Sequence, residues 1–188
     1  MARVVSRRGV ASSLRVLLDR GFRFTIIGGT VVEYALGSRD LGDDVDLFGE
    51  EPPPLLEEEY YGVAHELGWS SGQTWLGTPR LIARAGGEEV PLEFFDNVHD
   101  FYVPEPMLER AERVVMDGVR VKMVLLEDHI VLKAHAGRGS DIERLKEIGR
   151  YVKRGRLRVS RDLVREAVEF FGDEAPVLLR RLREAGLL

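Results

Sequence analysis

Two aspartates separated by a single residue are the first feature with chemistry in it. In Asp44-Val45-Asp46-Leu47-Phe48 acids alternate with apolar residues, and on a β-strand side chains two apart point to the same side. Asp44 and Asp46 would then project together while Val45 and Leu47 bury on the other face. Side-by-side carboxylates repel. A divalent cation between them removes that cost, and hard oxygen ligands with open positions for phosphate are what Mg²⁺ takes. Ahead of this pair, and separated from it by thirteen residues, stands Ile26-Ile27-Gly28-Gly29-Thr30. A strand-to-helix turn without side chains lets a phosphate approach backbone N–H groups. Singly, a Gly-Gly turn can be structural and a paired acid can be a solvated strand edge; in succession they describe a metal–triphosphate site. Other phosphate loops are excluded, because the chain contains neither GxGxxG nor GxxxxGK[ST]. It has no cysteine and four histidines, none in an HxH or HxxxH pair. Disulfides, thiolate metal sites and a cysteine nucleophile are therefore excluded, and any metal must be held by oxygens.

The elements that must hold these residues follow from periodicity and turn signals. Residues 10–20 read as an amphipathic helix ended by Gly21, 22–27 as a short strand, 31–36 as a short helix stopped near Gly37, and 45–48 as a second strand. After a turn at 49–54, residues 55–67 read as a helix with an acidic face. Residues 73–95 read as β structure with a hairpin at Gly86-Gly87, and 114–124 as a hairpin turning at Asp117-Gly118. Four helices follow, over 126–136, 141–154, 160–171 and 174–185. Ser140 and Ser160 are candidate N-caps, the first with Glu143 as a capping box. The expectation is an α+β fold: a mixed sheet flanked by helices over residues 1–125, and a C-terminal helical cap, 126–188, packed on it.

The chain has 188 residues, enough for one sizeable core or two small ones. No apolar run approaches the length of a membrane span, and the first residues lack the apolar core of a signal peptide. A soluble, cytoplasmic protein without membrane contact is expected. Arginine outnumbers lysine 23 to 4, with one Asn, one Gln and no Cys; such depletion of heat-labile residues points to a thermophilic source, although GC-rich codon usage has the same effect on arginine. The net charge of −5 hides an asymmetry: residues 1–132 carry a net −10 and residues 133–188 a net +5. Arg150, Lys153, Arg154, Arg156, Arg158, Arg161 and Arg165 have only Asp162 as an acid among them. That stretch is either a solvated helix surface or a docking patch for RNA or another polyanion.

With these residues in view, the chain resembles the nucleotidyltransferase superfamily with the DNA polymerase beta-like fold. The signature is a hydrophobic residue, Gly, then Gly or Ser, a gap, and Asp-hydrophobic-Asp/Glu-hydrophobic, matched by Ile27-Gly28-Gly29 and Asp44-Val45-Asp46-Leu47. The family adds a third carboxylate on a later strand. Leu92-Glu93-Phe94 is the best match to its context, and Asp96 is the runner-up. More narrowly, the chain is similar to small stand-alone abortive-infection and toxin-like members, which carry an Arg before the paired acids and a later helix reading Asp-x-x-x-x-Lys-x-x-Ala-x-Arg-x-x-Asp. Arg39 and the run from Asp128 to Asp141 match these features. Arg39 stands five residues before Asp44 where four is commoner, and Arg144 stands where a further acid is expected.

The resemblance implies that Asp44, Asp46 and Glu93 hold two metal ions, Mg²⁺ or Mn²⁺, with Glu93 drawing the proton from an acceptor hydroxyl. It implies that Gly28, Gly29, Thr30, Arg39 and Lys133 bind the phosphates of a nucleoside triphosphate, ATP among them, and that Arg138 and Asp141 fix the helix junction. The expected reaction moves a nucleoside monophosphate to a hydroxyl and releases pyrophosphate. RNA, particularly a tRNA 3′ end, or a protein is favoured as acceptor, with 150–165 as the docking region; an aminoglycoside-like small molecule and a non-catalytic nucleotide-binding or protein-interaction module are the alternatives. The toxin-like resemblance also implies a cognate regulatory protein. The four histidines, and Trp69, Trp75, Tyr60 and Tyr61, are read as packing residues, with His129 one turn before Lys133 as the single histidine that could share its face.

Overall fold

A computed structural model describes residues 4–188. Apolar residues three and four apart, Val10, Leu14 and Leu17, give α1 (Arg7–Asp19) a buried face, and Ser6 caps it by accepting the Gly9 N–H at 3.0 Å. The chain continues through β1 (Arg23–Ile26), α2 (Gly29–Ala35), β2 (Val45–Glu51), α3 (Glu57–Leu67), β3 (Ser70–Gln73), β4 (Pro79–Ala85), β5 (Glu88–Phe95), α4 (Glu105–Glu109), β6 (Glu112–Met116) and β7 (Val119–Met123). Four longer helices complete it: α5 (Leu126–Ala136), α6 (Gly139–Lys153), α7 (Arg161–Glu169) and α8 (Ala175–Glu184). The expected α+β class is what the structure has. No helix among the described residues is long and apolar enough to cross a membrane.

Two compact units divide the chain. The first is Met1–Tyr102 with Ala111–Met123, and the second is Val103–Arg110 with Val124–Leu188. In the first unit the seven strands form one sheet in the order β3-β4-β5-β2-β1-β7-β6. β2 runs parallel to β5 and β1 to β7, and the other neighbours are antiparallel. Alternation along the strands sorts the side chains into two faces. Val45, Leu47, Leu81, Leu92 and Phe94 are fully buried on one, where the α3 residue Tyr60 meets Phe94 and Phe22 edge-on at 4.7 and 5.1 Å. Tyr60 donates its hydroxyl to the Pro52 carbonyl at 2.6 Å, so this tyrosine is a core residue with its one polar atom satisfied. The register then forces Asp46, Glu93 and Arg80 onto the opposite face.

In the second unit α5 packs against α6, α7 and α8, through Ile130, Val131, Ala134, Leu145, Ile148, Val164, Leu178 and Leu182, all buried. The short α4 was not anticipated from the sequence, nor was the assignment of its segment to this unit. One expected cap is corrected. α6 begins at Gly139 with Arg138 as N-cap, not at Ser140, because the Asp141 carboxylate accepts the Arg138 N–H at 3.3 Å and so satisfies the backbone two residues earlier. Ser160 does cap α7, accepting the Leu163 N–H at 3.4 Å, while its own N–H donates to Glu127 at 2.8 Å.

His129 is a core residue of this unit. It is 1% exposed, and its Nε2 has no hydrogen-bond partner among the described residues. Burial first, then the charges of Lys133 and Arg144, push its pKa down to about 3 from 6.5, so it stays neutral where the unfolded chain protonates. The folded state gains nothing from this group above pH 6.5 and loses stability as pH falls from 6.5 toward 3. At pH 5 the loss is about 2 kcal/mol. Urea unfolding at pH 7 and pH 5 should therefore show a smaller difference in His129→Leu than in the wild type, by that amount. An equal difference in both would show that His129 titrates normally.

Candidate active site

β2 and β5 lie side by side in parallel with Asp46 opposite Glu93, and β4 brings Arg80 opposite Glu93 from the other edge. Asp44 immediately precedes β2. Ligand oxygens of Asp44, Asp46 and Glu93 all fall within 4.8 Å of one another. Glu93 is half-buried, and its pKa is raised by that burial and by the charge of Asp44, against the opposing pull of Arg80. Three carboxylate donors with no sulfur or imidazole among them, set at the cost of mutual repulsion, fit a hard divalent cation. Asp96 follows the end of β5, where its carboxylate accepts the Asn97 N–H at 2.7 Å, and it is outside this group.

The glycine turn stands against the same acids. Ile27 donates its N–H to the Asp46 carbonyl at 2.9 Å, which draws the start of the turn beside β2. Gly28 has φ +70°, and a Cβ there would overlap the Asp46 carboxylate. Only glycine meets both demands, so the conformation of Gly28 and the position of Asp46 are one feature. Gly29 differs, since a Cβ there would enter open space. Thr30 is buried with its hydroxyl oxygen lacking a hydrogen-bond partner. Arg39 is exposed, and its carbonyl accepts the Arg7 N–H at 2.8 Å.

Arg80 is the site residue that sequence reasoning missed. Its Nε lies 3.3 Å from Glu93 Oε1. An arginine in an alternating strand is an ordinary solvated residue until the β4–β5 register is known.

The remaining candidates lie in the second unit. Lys133 Nζ donates to Asp141 Oδ1 at 2.8 Å, and Arg138 Nε donates to the other oxygen at 2.8 Å. Burial alone would raise the Asp141 pKa, but these hydrogen bonds outweigh it and hold the carboxyl below its usual range. Asp141 thereby ties the end of α5 to the start of α6. Asp128 is fully buried and paired with Arg110. His135 lies against Phe171 at 4.5 Å and 3.3 Å from Glu174. The seven cations from Arg150 to Arg165 are all exposed around the end of α6 and the start of α7; Arg165 pairs with Asp162 at 3.1 Å and Arg156 lies over the Tyr151 ring.

No curated protein matches the sequence. Among solved structures, an antigenic nucleotidyltransferase-like protein from Paracoccidioides brasiliensis is similar in fold, with a TM-score of 0.58 at 18% identity over 97% of this chain and 90% of that one. The antibiotic-resistance factor ANT(2'')-Ia, solved in solution, is similar with a TM-score of 0.51 at 18% identity over 95% of this chain and 91% of that one. At such identities the likeness shows the fold, and the fold is the one that the glycine turn and the paired acids imply. A sequence model of the family described as "Nucleotidyl transferase of unknown function (DUF2204)" matches residues 6–184, and the chain belongs to that family.

Proposed function

We propose that this nucleotidyltransferase is metal-dependent, that Asp44, Asp46 and Glu93 are its metal ligands, and that its acceptor is a hydroxyl of RNA. The observation that carries the metal reading is the convergence of three carboxylates, from β2, its approach and β5, to within 4.8 Å. Bound divalent cations, Mg²⁺ or Mn²⁺ and two by the resemblance, would supply Lewis acidity against the charge on the reacting phosphate. Asp44 and Asp46 hold the metal end of the site. Glu93, by what the resemblance implies, takes the proton from the acceptor hydroxyl as its oxygen attacks the α-phosphorus. The bond to the β-phosphate breaks and pyrophosphate leaves. Gly28 and Gly29 leave the backbone bare for the phosphates, Thr30 offers a buried hydroxyl, and Arg39 is assigned as a phosphate-neutralising charge. In this reading residues 1–125 carry the catalytic groups and 126–188 the acceptor-binding surface.

RNA is favoured over protein by the seven exposed cations of 150–165, since clustered Lys and Arg neutralise phosphates and release counterions. Incubation with α-labelled NTPs, Mg²⁺ and total RNA, digested protein or aminoglycosides as acceptors tests this directly. Label is expected on RNA, with an affinity that falls steeply with salt. Replacing Arg154, Arg156 and Arg158 by Gln should lower the salt slope by about 2–3. Label on protein or on the small molecule would replace the acceptor while keeping the chemistry. No label on any of them, with NTP still bound, would favour a nucleotide-binding module, and a partner that controls the site would then be the next object of search.

A further inference from the structure

We propose that Arg80 has two partners in turn: Glu93 in the nucleotide-free protein, and the polyphosphate oxygens of the NTP once a cation claims the Glu93 carboxylate. This rests on the metal-dependent reading of the triad.

The placement is fixed by register. Arg80, Glu93 and Asp46 lie opposite one another on three adjacent strands, and neighbouring strands are about 4.8 Å apart, so Arg80 starts roughly 10 Å from Asp46 with a side chain long enough to cover most of that distance. The Arg80–Glu93 contact is loose. At 3.3 Å the charges pair, yet the Nε is buried and makes no hydrogen bond among the described residues. A guanidinium offers five N–H donors in a rigid fork, and this one, 42% exposed, holds a carboxylate only 15% exposed. The next pair on the same face, Arg84 with Glu89 at 3.2 Å, is more open, its side chains 58% and 34% exposed, closer to an ordinary surface pair. Arg80 is set apart from it by the two further carboxylates beside its partner and by an orphaned donor.

Charge decides what happens when the site fills. Three carboxylates whose ligand oxygens lie within 4.8 Å of one another draw a divalent cation. Held there, such a cation would occupy lone pairs of Glu93 and repel the Arg80 guanidinium. Arg80 then needs an anion within reach, and a triphosphate held at the same cation presents oxygens whose geometry suits the fork. The residue therefore opposes metal binding in the absence of nucleotide and favours nucleotide binding in the presence of metal.

These opposite signs make the test. Mn²⁺ alone, and then an α,β-methylene NTP analogue at saturating Mn²⁺, are titrated calorimetrically into wild type, Arg80→Gln and Arg80→Lys. Arg80→Gln is expected to bind Mn²⁺ about threefold tighter, having lost a like charge, and the analogue about tenfold or more weaker, having lost a charge-assisted contact. Arg80→Lys should keep wild-type Mn²⁺ affinity and bind the analogue at an intermediate level. A residue that merely orients Glu93 would weaken Mn²⁺ and nucleotide together on removal, and that result overturns the proposal, as does full analogue affinity in Arg80→Gln. Wild type binding neither Mn²⁺ nor analogue would overturn the triad reading and this inference with it; wild type binding both while Arg80→Gln is unchanged would overturn the role of Arg80 alone.

Discussion

Asp46→Asn is expected to yield a folded protein that transfers nucleotide about a thousandfold more slowly than the wild type. The substitution keeps the volume of a half-buried side chain lodged against Gly28, so the turn has no steric reason to move. It also removes one of three charges crowded within 4.8 Å, so in metal-free buffer the variant should melt no lower than the wild type. Function moves the other way. A neutral amide is a poor ligand for a hard cation, and an electrostatic group aimed at the charge of the transition state is worth about 10²–10³-fold in rate. At 1.36 kcal/mol per decade, the thousandfold loss expected here is about 4 kcal/mol of lost stabilisation. Pyrophosphate release measured beside a melting curve separates the two effects. Retained turnover would remove Asp46 from the set of essential ligands, and a large fall in melting temperature would make it a structural residue.

The second large effect concerns stability and lies away from the proposed chemistry. Asp128 has no exposed surface, and Arg110 grips both its oxygens, through Nη2 to one and through Nε at 3.0 Å to the other. Arg110 also pairs with Glu166 at 3.0 Å and lies over the Phe170 ring at 5.0 Å. Burial raises the pKa of Asp128, and the hydrogen bonds from Arg110 pull against it. Arg110→Ala leaves that carboxylate buried with its charge uncompensated, which costs about 3–5 kcal/mol, a large fraction of the 5–15 kcal/mol that holds a typical domain together. The double change Arg110→Met with Asp128→Leu should recover most of the loss, because an apolar pair of similar volume is often as stable as the ion pair it replaces. Urea unfolding of the three proteins checks this; a wild-type midpoint for Arg110→Ala would mean that Asp128 is already neutral in the fold.

That a motif residue such as Asp128 has a structural partner shows where reading the sequence reaches its limit. Local signals were legible. The alternation of Asp44 to Phe48 located a strand, Gly86-Gly87 and Asp117-Gly118 located hairpins, and the stripes of α6 and α7 located helices, because each depends on neighbours within a turn or a pleat. Of the three acids, Asp44 and Asp46 stood out by their spacing, whereas Glu93 was singled out only through the family resemblance, since its nearness to Asp46 depends on the pairing of β2 with β5. What escaped depends on pairing between distant segments. The opposition of Arg80 to Glu93 exists only once β4 and β5 are in register, and the Arg110–Asp128 pair joins residues eighteen positions apart in different helical segments. The α6 cap was misplaced by two residues because the Asp141 carboxylate, held by Lys133 and Arg138, outcompetes the serine that a local rule favours. α4, five residues long after Pro104, carries too little periodicity to be seen.

The most direct test of a metal–nucleotide site is calorimetric titration of each of the four NTPs, with Mg²⁺, into wild type and into Asp44→Asn/Asp46→Asn protein at elevated temperature. Binding that requires Mg²⁺, selects among the bases and disappears in the folded double variant is the expected result. Equal binding by both proteins, or none by folded wild type, would contradict the assignment of Asp44 and Asp46 as the residues that hold the metal and, through it, the nucleotide.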